Sequence, residues 1–308
     1  MTAGPGAWPG PHVYNDTYTG WPVAPVDEQH PIRASFHDIR PGSFPEGLPG
    51  YHIGIDIAVR DDQPEAGAPA ARSHRVYAVE GGTVDLLPNV ANVGCVNRRV
   101  TAGHFSYWHV DPAVATNQRV RRHQLIGHVA PGAEHVHLAE YKDGTYVNPL
   151  RLGGLAPYID DTVPQIPSVT FYSFGSPIRP ETVSGVVDIT TEAFDTSPVP
   201  IPFPWNQAIV TPSLIRWRIV QGQRTIRAWE TAVDFRTFVL PINLFSFVYA
   251  PGTFQNKAGR RGRYEFYLSH SFDTQLLPNG SYVLQVDALD DQENLGQASF
   301  AFTVTNVG

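Results

Sequence analysis

Tyr51-His52-Ile53-Gly54-Ile55-Asp56-Ile57-Ala58-Val59 and Glu134-His135-Val136-His137-Leu138-Ala139-Glu140-Tyr141 are the two stretches on which the reading of this chain turns. Both have the two-residue period of a half-buried strand, because successive side chains of a strand point to opposite faces. Read as one strand, the first puts His52, Gly54 and Asp56 on one face and Ile53, Ile55 and Ile57 on the other. The second puts His135 and His137 opposite Val136 and Leu138. Each strand can then bury its aliphatic face while its imidazoles and carboxylate line a groove. Gly54, between the two polar residues, is expected to leave room there for an ion or substrate.

Outward from these strands, the composition points to an all-β chain. Among 308 residues there are 28 Pro and 27 Gly, spread along the whole length, which favours short strands and frequent turns over long helices. The length suggests two domains. Eleven of the twelve histidines lie at or before His137 and only His270 follows, so the chemistry is expected in the first half. The net charge is −7 and there is no sustained basic stripe, which argues against nucleic acid as a partner. The one dense basic cluster, Arg260, Arg261 and Arg263, suits a solvated turn as well as an anion site. Cys95 is alone, so no disulfide forms within the chain and the residue is read as structural. No run of about 18 apolar residues occurs, so no membrane-spanning helix is expected.

The predicted organisation has four parts: an irregular Pro/Gly-rich arm over residues 1–45, a β domain over 46–157, a linker over 158–167 and a second β domain over 168–308. The stretch 61–73 reads as a surface loop, and 112–122 has room for one helical turn. The second half alternates in short segments such as Ser281–Ala288, with turn signals such as Pro278-Asn279-Gly280 between them. That spacing suggests an antiparallel sandwich, and the last hairpin resembles bacterial immunoglobulin-like modules. A strand is also expected over Phe235–Leu240. The acidic residues Asp287, Asp290, Asp291 and Glu293 match no calcium-binding loop and are read as a solvated turn. Trp205, Trp217 and Tyr282 are read as core.

Imidazoles and a carboxylate on adjacent strands suit a catalytic zinc ion, which takes three protein ligands and keeps a fourth position for water. Such a metal lowers the pKa of water toward about 7 and polarises a carbonyl, and a nearby imidazole can carry protons.

The order of landmarks over residues 50–141 resembles lysostaphin-type (LytM-like) zinc peptidases. His52-x-Gly54-x-Asp56 is followed by Val76-Tyr77-Ala78-Val79-x-Gly81-Gly82-x-Val84. Tyr107-Trp108-His109-Val110 comes next, then Val120 to Gly127, and last the His135-x-His137 strand with Glu140 close behind. The resemblance implies His52, Asp56 and His137 as zinc ligands and His109 and His135 as catalytic imidazoles. It also implies a zinc endopeptidase with an open groove between antiparallel strands, acting on bacterial cell-wall peptidoglycan peptides or another peptide substrate. Three departures stand out, one of them the length of the insertion at 61–73. The loop Gly127–Glu134 is shorter and less glycine-rich than the family's, and for a further family tyrosine only Tyr51 is a neighbour of the right type. A wall substrate would place the protein outside the cell or at its envelope, after loss of a signal segment. The first residues carry no such segment, which leaves the cytosol open.

Trp108 is expected to face the core. His104, His123, His128 and His74 are expected at the rim, and His12, His30 and His37 in the arm, from which a histidine could close the metal site. The competing reading is a non-catalytic metal-binding or wall-binding module that keeps the peptidase fold. Nothing in the sequence reports the oligomeric state.

Overall fold

The computed structural model describes residues 18–40, 50–59, 74–87 and 98–307. His12, Cys95 and the loop at 61–73 lie outside them. The chain is mainly β, as its turn-rich composition requires. Among the described residues the paired strands are antiparallel except that Tyr18–Thr19 runs parallel to Leu155–Ala156.

A seven-stranded sheet dominates the first half. Across it run Ile32–Ala34, Ile55–Ala58, His135–Lys142, Phe105–Trp108, Arg99–Ala102 and Asp85–Leu87, with Thr145–Val147 folding back on the far end of the long His135–Lys142 strand. Beside it lies a three-stranded sheet of Val110–Pro112, Leu125–Val129 and Arg75–Tyr77. Ile55, Ile57, Val136, Leu138, Phe105 and Tyr107 are fully buried in a core shared with Trp21, Val76 and Ile126. Burying each large aliphatic side chain contributes about 1.5–3 kcal/mol, so the apolar alternation fixes which face of each strand turns inward.

Several elements depart from the expected arrangement. Ile32-Arg33-Ala34, expected within an irregular arm, pairs with Ile55–Ala58 and forms an edge of the sheet. Three residues after Pro31 are too few to display a period, and tertiary pairing decides. The first key segment is not one strand: Gly50–Tyr51 and Ile55–Ala58 are separate, with residues 52–54 bending between them. Gly54 does not make room for an ion. A Cβ built on it would stand 2.2 Å from the Leu138 carbonyl oxygen, so its missing side chain lets the bend pass over the neighbouring strand. Residues 113–118 form turns, without a helical turn. Glu140 is fully buried and points away from the groove histidines, its two oxygens 2.6 and 2.9 Å from the Arg151 guanidinium.

The second half is a sandwich of two four-stranded antiparallel sheets. One contains Ser176–Ile178, Gln165–Ser173, Val186–Phe194 and Glu265–Asp273; the other contains Arg224–Asp234, Leu214–Gln221, Gly280–Leu289 and Leu295–Val304. Phe171, Ile189 and Phe266 from one sheet meet Trp217, Leu284 and Val286 from the other. Trp217 and Tyr282 are core residues as expected, whereas Trp205 is half-buried at the boundary between the halves. Residues 235–240 form no strand, contributing only a bridge from Phe238 to Val147. Asp287 and Asp290 are buried, the former paired with Arg216, so that acidic stretch is no solvated turn. The two cores are not insulated from each other: Ile39 and Tyr51, from the first half, pack among the sandwich's residues.

Two substitutions test this packing. Gly54→Ala forces its methyl group against main chain and is expected to cost about 3 kcal/mol, the upper end for overpacking, by urea denaturation. Arg151→Met strands the Glu140 charge in the interior. Loss of one partner of a buried pair costs about 3–5 kcal/mol, so the variant should melt far below the wild type. A variant as stable as the wild type would show that the Arg151–Glu140 pair contributes nothing to stability.

Candidate metal centre

Sheet register brings the candidate side chains together. His137 pairs with Asp56 on one side and with Trp108 on the other, so these three side chains form a row across three strands of the same face. His52 reaches the row from the bend at 52–54. Its Nε2 lies 2.6 Å from His137 Nδ1 and 3.0 Å from Asp56 Oδ1, and His137 Nδ1 lies 3.1 Å from the same oxygen. One donor atom from each of the three residues therefore converges on a common point.

The imidazoles are held in orientations that suit a ligand. His52 Nδ1 donates to the Ser35 carbonyl at 2.8 Å, which leaves Nε2 with a lone pair facing Asp56 and His137. Burial, and then the positive charge of Arg40, hold the His52 pKa down at about 3, so the ring is neutral at physiological pH, as metal binding requires. Burial alone would raise the Asp56 pKa. Electrostatic attraction to His52, His135 and Arg40 outweighs it and keeps the carboxyl well below its ordinary value.

His135 and His109 sit beside the three donors. His135 Nε2 is 3.6 Å from Asp56 Oδ1, and the His135 and His109 ring centroids are 4.5 Å apart. His109 takes up this place through an unusual backbone, with φ at +64°. It is the junction residue between Phe105–Trp108 in the large sheet and Val110–Pro112 in the small one. A left-handed residue there lets His109 and Trp108, adjacent in sequence, both flank the histidine row. Trp108 thus departs from the expectation that it faces the core. Tyr107 is the fully buried one, and its hydroxyl accepts from the Val79 amide at 2.7 Å. The Trp108 ring meets His137 edge-on at 6.3 Å.

Residues 32–40 supply groups that the sequence did not mark. Arg40 Nη2 donates to Asp56 Oδ2 at 2.8 Å, and Nη1 donates to Asp38. Arg33 Nη2 stands 2.8 Å from His135 Nδ1, which is also 2.5 Å from the Ala133 carbonyl oxygen. The two contacts at Nδ1 require opposite protonation. A neutral ring with Nδ1–H donating to Ala133 leaves the Nε2 lone pair as the acceptor, 3.3 Å from Arg33 Nη2 and on the side of Asp56. Burial holds the His135 pKa well below its ordinary value, Asp56 opposing it, in keeping with a neutral ring. The Arg33 guanidinium lies 4.1 Å over the Trp205 ring, so the second half covers this side of the centre. His52, Asp56 and His135 are 3%, 7% and 7% exposed, which places the donors beneath the 32–40 segment rather than at the surface.

Three other described histidines have partners elsewhere. His37, considered as a closing ligand, is fully buried against Phe235, and its Nε2 accepts from the Leu240 amide. His30 is bonded to the Pro25 carbonyl, and His104, on a hairpin turn, contacts Glu80. Tyr51 packs its ring against Phe245 and Tyr249 in the aromatic layer between the halves.

No family model matches the chain, and no curated protein does. Among solved structures, a similar chain is described as the extracellular domain of a one-component system from B. thetaiotaomicron. It is 10% identical with a TM-score of 0.21, over 89% of this chain and 31% of that one. This chain thus spans under a third of that chain's length, and a TM-score so low is not evidence of a shared fold. No helix among the described residues is long and apolar enough to cross a membrane.

Nitrogen-detected NMR of the metal-free protein should find His52 as the Nδ1–H tautomer, unchanged from pH 8 down to pH 5, since its pKa lies near 3. A depressed pKa means that the neutral ring persists as the pH falls through the ordinary histidine range. Titration of His52 near pH 6.5 would show that the ring is solvated and that the geometry around Ser35 is wrong.

Proposed function

We propose that this chain is a zinc-dependent endopeptidase acting on peptide bonds, with bacterial cell-wall peptidoglycan as its substrate class. One observation carries the reading: the convergence of His52 Nε2, Asp56 Oδ1 and His137 Nδ1 beside the adjoining His109 and His135 rings. Two imidazoles and one carboxylate, with a fourth position left over, make a donor set that fits zinc, and the Ser35 carbonyl orients one of them. Zinc held there would acidify a water and polarise the scissile carbonyl. The substrate class comes from the resemblance in landmark order over residues 50–141.

The chain's own groups have distinct tasks in this reading. Asp56 divides its oxygens, giving Oδ1 to the histidines and Oδ2 to Arg40, so it is fixed in place and stays ionised. His135, neutral and in reach of the donors, can accept a proton from water. His109, against its ring, can hold or return one, or stabilise the oxyanion of the attacked carbonyl.

A second reading, a non-catalytic metal-binding module that keeps the fold, is favoured by a separate observation. Arg40 and Arg33 contact the ligand Asp56 and the catalytic candidate His135, where a substrate and a dication must also fit.

Elemental analysis with peptidoglycan digestion separates these readings. The enzyme predicts one zinc per chain, lost in His137→Ala, and hydrolysis that falls by about 10²–10⁴ in His109→Ala with zinc retained. Zinc present without hydrolysis would leave the module, and no bound zinc in the wild type would remove both.

A further inference from the structure

A second group of hard donors lies far from the histidines along the chain, where the segment joining the two halves meets the sandwich. Asp160 belongs to the connecting segment, Asp195 follows the Val186–Phe194 strand, and Asp290 follows the Gly280–Leu289 strand. An oxygen from each carboxylate lies within 4.8 Å of the others. Asp195 is 2% exposed.

Two of the three carboxylates are oriented by donors in their own turns. Asp160 Oδ1 accepts from the Thr162 amide and hydroxyl, and its Oδ2 accepts from the Tyr158 hydroxyl. Asp290 Oδ1 accepts from the amides of Gln292 and Asn294, and its Oδ2 accepts from the Asn294 side chain. Asp195 is different. Its Oδ1 accepts from the Thr196 amide, but the Thr162 hydroxyl is spent on Asp160, and Asp195 Oδ2 is buried with no hydrogen-bond partner. A buried carboxylate oxygen without a donor is unfavourable as an anion, and burial accordingly raises the Asp195 pKa to about 7; a cation beside it would favour the ionised form. The two arginines lining the cleft beside Asp290 and Asp291, Arg151 and Arg236, pair with Glu140 and Asp234.

We propose that Asp160, Asp195 and Asp290 bind a divalent calcium ion, with Asp195 Oδ2 as the oxygen that the ion satisfies. The donors are all oxygen, with no imidazole or thiol, which suits a hard cation. Three carboxylates from three separate segments suit the loose, many-oxygen coordination of calcium better than the strict octahedron of magnesium. The ion fastens the connecting segment to the ends of two strands, one from each sheet of the sandwich. It therefore acts on how the two halves are joined and not on the histidine centre.

Tyr158 supplies a local reporter, since its hydroxyl donates to Asp160 and a tyrosine so placed sensitises terbium emission. Metal-stripped full-length protein is titrated with terbium and then with calcium. Sensitised emission displaced by calcium at millimolar concentration or below is expected, the range of extracellular calcium modules being about 10⁻⁴–10⁻³ M. Asp195→Asn, which keeps the shape and the Thr196 contact, should weaken calcium binding at least tenfold, and His137→Ala should leave it unchanged. Calcium should also raise the melting temperature of the wild type and not of Asp195→Asn, and circular dichroism reports whether the variant is folded. The proposal is overturned if emission does not appear or is not displaced by calcium, if Asp195→Asn binds as the wild type does, or if His137→Ala abolishes the signal. Should Asp195→Asn not fold, Asp195→Ser takes its place with the same criteria.

Discussion

The hydrogen bond from His52 Nδ1 to the Ser35 carbonyl is the contact on which the donor cluster depends. It fixes which nitrogen of His52 carries the proton, and therefore whether Nε2 is a ligand or a donor. Ser35 is itself clamped by the sandwich: its hydroxyl contacts the Thr211 hydroxyl at 2.8 Å and accepts from the Thr211 amide at 2.9 Å. The same segment is held by the Tyr249 hydroxyl on the His37 carbonyl and by reciprocal amide bonds between His37, Asp38 and His52. The second half is thus a supporting wall of the centre and not only an appended module.

Charge around Asp56 follows from this support. A single buried carboxylate faces two imidazoles through one oxygen and a guanidinium through the other, and the guanidinium favours its ionised form. Arg40 also neutralises Asp38, which is buried beside it. A guanidinium on the outer oxygen of a ligating carboxylate is a common way of holding it in place. It also adds a positive charge close to a point meant for a cation, and at short range in a buried site that repulsion is not negligible.

Much of this was legible in the sequence where burial and period coincide. Ile55, Ile57, Val136 and Leu138 disclose the strands, and with them the shared face of Asp56, His135 and His137, because each strand has one apolar face to hide. The sandwich was legible for the same reason, in segments such as Ser281–Ala288. What could not be read depends on contacts distant in the chain. Ile32–Ala34 is too short to show a period, and Arg33 and Arg40 look like ordinary surface residues until the segment is placed. Trp108 lies on the face opposite to that expected because the left-handed backbone at His109 interrupts the regular alternation along the strand. Gly54 and Asp290 owe their roles to the Leu138 carbonyl and to Asp160, neighbours that spacing does not reveal.

The clamp on Ser35 also bears on the order in which the molecule assembles. His52, Asp56 and His137 are all synthesised before residue 140, but Thr211, Tyr249 and the Asn256 side chain that contacts the Arg33 carbonyl come from much later in the chain. A chain emerging from the ribosome would have its donors in hand long before the groups that clamp the 32–40 segment against them. The centre is therefore completed late, when the sandwich closes over the 32–40 segment, and a partly made chain carries the ligands without their alignment.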